Sequence, residues 1–220
     1  MSASCAPSPL GPWTAPPIWL EGTHGRATIA PDSPRRNGKR AREFAAGRRC
    51  AAQALYDAGA REVDVGVGPQ RNPLWPSGFV GSITHTATLA WAMVAPARTL
   101  RALGIDSEVV FDEAALREAG PLVFVADERR WLRPECEAED ATLIFSAKES
   151  LFKCVNPCTG VFFEFADARV TRIVRERPGE GTLELCLLRD LADGFPRGRT
   201  FTGRHALAYG HVHTTVWLPS

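Results

Sequence analysis

The chain has 220 residues, with 26 Lys and Arg against 25 Asp and Glu, so its formal net charge at pH 7 is only +1. Hydrophobic residues make up 45% and charged residues 23%, which is typical of globular proteins and excludes a collagen-like or largely disordered chain. The near-zero net charge also argues against a general nucleic-acid binder, because such proteins carry a clear basic excess.

The composition also bears on where the protein acts. Six cysteines are spread over the chain, too thinly for a disulfide-stabilised secreted domain. The first 20 residues contain five prolines and no Lys or Arg, so they lack the basic start of a signal peptide. Residues 79–97 contain no Asp, Glu, Lys or Arg, but their GSITHT segment is too polar for a membrane span. We therefore expect a cytoplasmic protein that binds neither membrane nor nucleic acid.

The predicted elements mix helices with strands. Residues 1–17, rich in Pro, Ser and Ala, predict no regular structure. An Ala-rich segment from about 40 to 58 predicts a helix that ends at Gly59, and the Pro- and Gly-rich residues 66–78 predict an ordered loop. Strands are expected near 79–84, 88–95 and 103–110, helices near 112–119 and 146–154, and several antiparallel strands between 161 and 218. Because these elements do not alternate regularly as βαβ units, the expected fold class is α+β.

Two carboxylates, Asp106 and Glu108, lie two residues apart in the third predicted strand. Side chains at i and i+2 point to the same face of a strand, so Ser107 between them is expected to face the other side. Neighbouring carboxylates repel each other unless a cation lies between them, and Mg²⁺ prefers such oxygen ligands. The pair thus indicates a metal site; the alternative is a solvated strand face that binds nothing.

The segment 145–153 reads FSAKESLFK. In a helix, Glu149 and Lys153 share one face at spacing i, i+4, so this face would offer a carboxylate to a metal or a proton and an ammonium to a phosphate. The segment also fits a capping box, in which Ser146 begins the helix and Glu149 accepts from the first backbone N–H. The two interpretations are compatible, because a capped helix start is a rigid place for a functional carboxylate.

Several residues are candidate ligands of phosphate. In the GSITHT segment at 81–86, the glycine permits close approach to the backbone, while Thr84 and His85 supply hydrogen-bond donors. Arg40 and Arg48, eight residues apart on the first predicted helix, and Arg71 in the loop are further candidates, since a guanidinium group matches two phosphate oxygens at once. The alternative is structural, because histidines beside strands and arginines on exposed helices commonly bind no ligand.

These segments, in this order, resemble the phosphopantetheinyl transferases of the surfactin and enterobactin type. GIDSE at 104–108 resembles the family motif Gly-Ile-Asp-x-Glu, and FSAKESLFK resembles its Trp/Phe-Ser-x-Lys-Glu motif. WP at 75–76 with GSITH at 81–85 resembles an upstream block, and KRAREF at 39–44 is similar to the first helix of enterobactin-type members. Phe152 departs from the pattern, since many relatives have Tyr there. The resemblance covers residues 39–153, and the tail 154–220 carries no motif.

The resemblance implies a pseudo-symmetric pair of similar α/β halves, residues 1–102 and 103–220, with coenzyme A bound in the cleft between them. It implies transfer of the 4′-phosphopantetheine arm of coenzyme A to a serine of an acyl, peptidyl or aryl carrier protein, with release of adenosine 3′,5′-bisphosphate. The expected cofactor is Mg²⁺, with Mn²⁺ as a substitute. We expect a monomer, because the two halves already enclose the cleft.

Carried over to this chain, the resemblance assigns Asp106, Glu108 and Glu149 to the metal. It makes Glu149 the candidate base, directly or through a bound water, and Lys153 the group that holds the attacked phosphate. The remaining positions are assigned to the phosphates of coenzyme A: Arg40, Arg48, Arg71, Thr84, His85 and Lys148.

The carrier protein is expected to dock on the segment between the two carboxylate motifs. Carriers of this class are generally acidic around the modified serine. Residues 109–145 combine apolar side chains with basic ones, namely Val123, Phe124, Val125 and Trp131 beside Arg129, Arg130 and Arg133. Apolar contacts together with these arginines are therefore the expected docking surface.

Two other functions stay open on the sequence alone. A metal-dependent nuclease also combines Asp, Glu and Lys, although the near-neutral charge argues against it. A coenzyme A-binding regulator with a decayed site would not turn over, although all three candidate carboxylates and Lys153 are present. The sequence does not choose among fatty-acid, polyketide, siderophore and nonribosomal-peptide carriers.

Overall fold

The computed structural model describes residues 24–29, 36–69 and 71–220 of the chain. The helices are α1 (Arg36–Asp57), α2 (Glu113–Val123) and α3 (Glu137–Thr159), with short 3₁₀ helices at Glu128–Trp131, Pro134–Cys136 and Phe165–Asp167. The strands are β1 (His24–Ile29), β2 (Gly66–Val67), β3 (Pro73–Leu74), β4 (Phe79–His85), β5 (Leu89–Pro96), β6 (Leu100–Val109), β7 (Ala168–Arg177), β8 (Glu180–Leu187), β9 (Thr200–Ala208) and β10 (His211–Pro219). This mixture of helices and sheets confirms the α+β class.

Two antiparallel sheets organise the described residues. The first has three strands in the order β1-β5-β4, and the second has five in the order β6-β10-β9-β8-β7. Helix α1 packs on the first sheet and helix α3 on the second. The short strands β2 and β3 pair with each other inside the predicted loop.

Strand β5 is buried along almost its whole length, because both of its faces are covered. Alanines on one face of the strand, such as Ala90 and Ala92, pack with small residues of α1. Larger side chains on the other face, such as Trp91, pack with Leu103 and Ile105 of β6. Strand β5 therefore lies between α1 and β6. On the second sheet, an apolar stripe of α3 packs against residues of β7 to β10, and together they form the largest core cluster.

The sheets meet where strands β4 and β6 run side by side. Two hydroxyl groups of β4 accept hydrogen bonds from the backbone of β6: Ser82 Oγ from Ile105 N at 3.0 Å, and Thr84 Oγ1 from Ser107 N at 3.2 Å. These hydroxyl groups accept the hydrogen bonds that backbone carbonyls accept within a sheet, because a buried N–H group needs an acceptor.

Most predicted elements are confirmed, but the predicted start of the third helix is wrong. Helix α3 begins at Glu137 rather than near residue 146, so Ser146 lies in its third turn and cannot be a cap. The first turn carries Glu137, Glu139 and Asp140, and acidic side chains there interact favourably with the helix dipole. The capping-box interpretation of Ser146 and Glu149 is therefore withdrawn.

No helix of the described residues combines the length and the apolar character that a membrane crossing needs.

Candidate active site

Strand β6 and helix α3 bring four of the predicted residues together. Asp106 and Glu108 occupy alternate positions on β6, while Glu149 and Lys153 lie one turn apart on α3. The ammonium Nζ of Lys153 lies 2.6 Å from Asp106 Oδ1. All three carboxylates are close enough to influence one another electrostatically. The cluster therefore joins the two motifs that the sequence keeps about 40 residues apart.

A glycine allows this close contact between the helix and the strand. A Cβ atom built on Gly104 would overlap the backbone carbonyl of Ser150 and crowd the amide of Cys154. Helix α3 therefore lies with its backbone directly on β6, at the glycine that opens the GIDSE motif. Gly104 therefore allows α3 to pack closely on β6, and this packing brings Lys153 next to Asp106.

The three carboxylates carry more negative charge than one lysine balances. Burial raises the pKa of Glu108 to about 7, and the charges of Asp106 and Glu149 add to this while Lys153 opposes it. Burial also raises the pKa of Glu149, which Lys153 counteracts and Asp106 reinforces. A further cation in the cluster would relieve both effects.

The donor atoms fit a hard divalent cation. Asp106 Oδ2 is buried and has no hydrogen-bond partner among the described residues. An unpartnered, buried carboxylate oxygen beside two further carboxylates provides the oxygen ligands that Mg²⁺ or Mn²⁺ prefers. As the side chains stand, no three His, Cys, Asp or Glu residues of the described segments converge tightly enough to hold a metal.

Ser107 faces away from its two acidic neighbours, as expected. Its Oγ lies 2.8 Å from Nδ1 of His213, a fully buried residue of β10. Burial lowers the pKa of His213 to about 4, so its imidazole is neutral at pH 7. The Ser107 side chain therefore belongs to the interior between the sheets, not to the carboxylate cluster.

Thr84 makes two hydrogen bonds to residues of β6. Its side chain is buried, and Oγ1 donates to Asp106 Oδ1 at 3.2 Å while it accepts from Ser107 N. These two hydrogen bonds fix the Asp106 carboxylate and the backbone of β6 beside it. Thr84 therefore positions Asp106, and its assignment to a phosphate of coenzyme A stays a prediction.

Lys148 lies away from the predicted ligand position. Although it precedes Glu149, its ammonium donates to Glu128 Oε2 at 2.7 Å, Val123 O at 2.7 Å and Phe165 O at 3.0 Å. All three N–H groups are thereby used inside the protein. This corrects the assignment of Lys148 to coenzyme A, because its ammonium has no donor left for a phosphate.

His85 ends β4 with an exposed side chain, and its Nδ1 lies 3.9 Å from Glu43 Oε2 on α1. Arg40 is exposed one turn before Glu43, so it lies on the same side of the helix as this histidine. His85 and Arg40 are therefore compatible with a shared anionic ligand.

Arg48 and Arg71 lie around the loop after α1. Arg48 Nη1 donates to Val65 O and to Gly66 O, both at 2.8 Å, so part of its guanidinium group anchors the loop. Arg71 is exposed, with a left-handed backbone at φ 62° that is uncommon for a residue with a side chain. Their assignment to coenzyme A stays a prediction.

Sequence reasoning missed the tertiary partners of several residues that shape the site. Ser146 and Ser150 of α3 both bond Oγ1 of Thr214, at 2.9 and 2.7 Å, and fix the helix to the central part of the second sheet. No motif marks Thr214 in the tail, and its register opposite Asp106 emerges only from strand pairing. The contacts of Ser82, Glu43 and Glu128 were missed for the same reason, because their partners are distant in sequence.

A cavity of about 510 Å³ opens elsewhere, between the start of α3 and the ends of strands β7 to β10. None of the predicted site residues lines it. Of the three arginines that line it, Arg133 and Arg175 both pair with the buried Asp140, at 2.8 and 2.7 Å. The cavity is therefore separate from the carboxylate cluster.

Comparisons with known proteins match one family along most of the chain. A family model of the 4′-phosphopantetheinyl transferase N-terminal domain matches residues 35–95, and a model of the 4′-phosphopantetheinyl transferase superfamily matches residues 102–208. The chain is 35% identical to the 4′-phosphopantetheinyl transferase Npt of Nocardia iowensis over 186 residues, which cover 81% of this chain and 82% of the relative. It is 34% identical to the 4′-phosphopantetheinyl transferase Svp of Streptomyces mobaraensis over 226 residues, covering 91% and 86%. Against enterobactin synthase component D of Salmonella typhimurium, the identity is 41% over 52% of this chain and 48% of the relative.

Proposed function

We propose that this chain transfers the 4′-phosphopantetheine group of coenzyme A to a serine of apo carrier proteins. The chain belongs to the 4′-phosphopantetheinyl transferase superfamily and is a transferase of that class. The second product would be adenosine 3′,5′-bisphosphate. A nuclease or a non-catalytic regulator would not agree with membership in this class of enzymes.

One observation carries the proposal: Asp106, Glu108, Glu149 and Lys153 converge although they come from two separate elements. Phosphoryl transfer depends mainly on positioning and on stabilising negative charge, which needs a cation and fixed polar groups rather than a covalent nucleophile. The cluster supplies carboxylates for a cation and an ammonium for a phosphate within one small region.

Asp106, Glu108 and Glu149 would hold Mg²⁺, with Mn²⁺ as a substitute. When bound, the ion neutralises charge on the pyrophosphate of coenzyme A. The unpartnered Oδ2 of Asp106 supports this assignment. The raised pKa of Glu108 supports it too, because burial and the charges of Asp106 and Glu149 disfavour its ionised form while only Lys153 opposes them.

The chemistry assigned to the chain's own residues is a single displacement. The serine oxygen of the carrier attacks the phosphorus that bears pantetheine, a new O–P bond forms, and the P–O bond to the departing adenosine 3′,5′-bisphosphate breaks. Glu149 accepts the serine proton, directly or through water, and the burial that raises its pKa makes it a stronger base than an exposed carboxylate. Lys153 donates to the phosphoryl oxygens as negative charge develops.

The opposite side of the site would bind the phosphates of coenzyme A. We assign this role to His85 and Arg40, and to Arg48 and Arg71 where their guanidinium groups reach solvent. Their support is the exposed side chain of His85 beside α1, together with the exposed Arg40 on that helix.

We further propose two similar halves, residues 1–102 and 103–220, with coenzyme A in a cleft between them. The support is that each half pairs one sheet with one long helix and that the two family models adjoin between residues 95 and 102. The turn between β5 and β6 falls in this interval. We also propose a cytoplasmic monomer, consistent with the five described cysteines, which are all free thiols.

Mass measurement on intact carrier proteins tests the proposal. A panel of apo carriers would be incubated with the enzyme, coenzyme A and MgCl₂, beside the variant Glu149→Gln and the control Glu118→Gln on the exposed face of α2. We expect a mass gain of one phosphopantetheine with the wild type and the control, and none with Glu149→Gln. Because Glu149 is not part of a helix cap, the variant should keep its fold by circular dichroism.

Each other outcome has a defined meaning. No gain on any carrier with the folded wild-type enzyme would contradict the transfer reaction. A gain that survives Glu149→Gln at the wild-type rate would keep the reaction and remove Glu149 from the chemistry.

A further inference from the structure

Lys148 and Glu128 form an ion pair inside the second half of the protein. Their side chains are 1% and 0% exposed, and the Lys148 ammonium lies 2.7 Å from Glu128 Oε2. A buried ion pair seldom stabilises a fold more than well-packed apolar side chains would, because both charges must leave water. Stability alone therefore does not account for the pair. The hydrogen bonds that its two side chains make to the backbone give a better explanation.

Through hydrogen bonds, the pair connects α3 to the backbone of residues 123–125, of Phe165 and of Val170. Lys148 donates to the carbonyl groups of Val123 and Phe165. Glu128 Oε2 also accepts from Val125 N at 2.9 Å, and its Oε1 accepts from Val170 N at 2.6 Å. Because Lys148 directly precedes Glu149, the segment after α2 is attached to the helix beside the proposed base.

The end of α2 and this segment together carry a surface that we call the docking patch, formed by Leu122, by the half-buried Phe124, and by Arg129 and Arg130. Leu122 is 72% exposed. The Arg129 guanidinium lies 5.6 Å from the centre of the Phe124 ring, and Arg130 lies 5.1 Å from that of Trp131. Stacking of this kind holds arginines in place while their charges stay in water.

The patch differs in part from the docking surface that the sequence predicts. Val123 is 1% exposed, and Trp131 donates its indole N–H to Val170 O, so both pack inward. Arg133 is engaged by Asp140. Leu122 supplies the exposed apolar contact instead.

The charge of the patch is positive. The two acids of the segment are both paired with cations from elsewhere, Asp127 with Arg169 at 3.0 Å and Glu128 with Lys148. Arg129 and Arg130 are exposed and give the surface its sign. A basic surface with an apolar contact is complementary to an acidic partner.

We propose that Lys148 and Glu128 are positioning residues, which hold the docking patch at a fixed place relative to Glu149 so that an acidic carrier protein presents its serine to the base. The inference rests on the proposed transfer to carrier proteins. Neither side chain touches the carrier or coenzyme A; both act through the backbone of residues 123–128.

Steady-state kinetics on Lys148→Met tests the pair, with carrier and coenzyme A varied separately. We expect the carrier KM to rise about tenfold, the size of effect known for residues that couple sites indirectly. The Kd of coenzyme A, measured by calorimetry, should stay within about twofold, since its proposed ligands lie elsewhere. Glu128→Gln is the milder second variant, because it keeps the side-chain volume and a carbonyl oxygen, and it serves if Lys148→Met does not fold.

The double variant Arg129→Glu/Arg130→Glu tests the patch itself, with Arg197→Glu, an exposed arginine before β9, as its matched control. The patch variant should raise the carrier KM, and the control should not. If Lys148 acts through the patch, adding Lys148→Met to the patch variant should raise the carrier KM little further.

Two results would overturn the inference. One is an unchanged carrier KM in folded Lys148→Met or Glu128→Gln. The other is an equal loss of affinity for carrier and coenzyme A, which would show general damage to the fold. Absence of carrier modification by the wild-type enzyme would instead contradict the proposed function, so the two failures are distinguishable.

Discussion

Lys153 donates to Asp106 Oδ1 at 2.6 Å, across the contact between α3 and β6. The lysine that is assigned to the phosphate thus already neutralises one of the carboxylates assigned to the metal. The Lys153 side chain is 27% exposed whereas that of Asp106 is 3% exposed, so the lysine has access to solvent and the aspartate does not. The ammonium therefore can turn toward a phosphate once another cation balances Asp106.

Replacing Lys153 by Met should reduce turnover strongly. The variant keeps the length of the side chain but removes the ammonium that stabilises charge on the attacked phosphate, and loss of one such donor costs about 100- to 1000-fold in kcat. Rates of holo-carrier formation at saturating coenzyme A and carrier measure this effect. A kcat within about threefold of the wild type would remove Lys153 from the chemistry.

The raised pKa of Glu108 predicts a pH dependence. Folding raises this pKa from the ordinary value of 4.5 to about 7, so the protonated form is favoured in the folded state. The resulting contribution to stability is fully present below pH 4.5 and is lost as the pH rises through about 7. Added Mg²⁺ should therefore raise the melting temperature more at pH 8 than at pH 6, because the ion competes with the proton for the carboxylate.

The variant Glu108→Gln provides the control for this pH dependence. With no carboxyl group to titrate at this position, the difference in Mg²⁺ stabilisation between pH 6 and pH 8 should become much smaller. Thermal unfolding with and without MgCl₂ at both pH values measures it. An equal effect of Mg²⁺ at pH 6 and pH 8 in the wild type would contradict the prediction.

Thr84→Val should weaken both the fold and the metal site. The change keeps the shape of the side chain but leaves Ser107 N without its acceptor, and it removes one of the two donors to Asp106 Oδ1, the other being Lys153. Leaving a buried donor unsatisfied costs about 1–3 kcal/mol in the free energy of unfolding. Urea unfolding gives this value, and Mg²⁺ titration followed by melting temperature reports on Asp106. Thr202→Val, at an exposed position of β9, is the matched control and should be close to neutral.

Gly104→Ala should separate α3 from β6. The new methyl group would overlap the carbonyl of Ser150, and overpacking of this kind typically costs about 1–3 kcal/mol. Because the shift moves Lys153 and Glu149 away from Asp106, turnover should fall by more than the loss of stability explains. Activity well below the melting temperature, where the variant is folded, distinguishes the two effects.

Gly120→Ala in α2 is the matched control for this glycine. A Cβ at Gly120 meets only the Phe124 ring, at an ordinary contact distance of 3.6 Å. Alanine favours the helix over glycine, so the control should keep its activity and its melting temperature. Full activity in Gly104→Ala would show that the close approach of α3 is not needed for the site.

Local pattern was sufficient for most of the secondary structure. The Ala-rich run before Gly59 predicted α1, and the alternation of apolar and polar residues after position 161 predicted the strands of the tail. The start of α3 was not predictable in this way. Its first turns are acidic and polar, and they are held by tertiary contacts of Asp140 and Thr142 rather than by an apolar period.

The sequence by itself determined which chemistry this chain carries, because carboxylates two residues apart on a strand, and a carboxylate and an ammonium one turn apart on a helix, have fixed local geometry. Only the tertiary structure decided which neighbours take part. It turned Lys148 inward to Glu128 and brought Thr84 onto Asp106, two arrangements that depend on contacts 20 and 22 residues apart in the chain. Such contacts form when helices and sheets pack, and local spacing places no constraint on them.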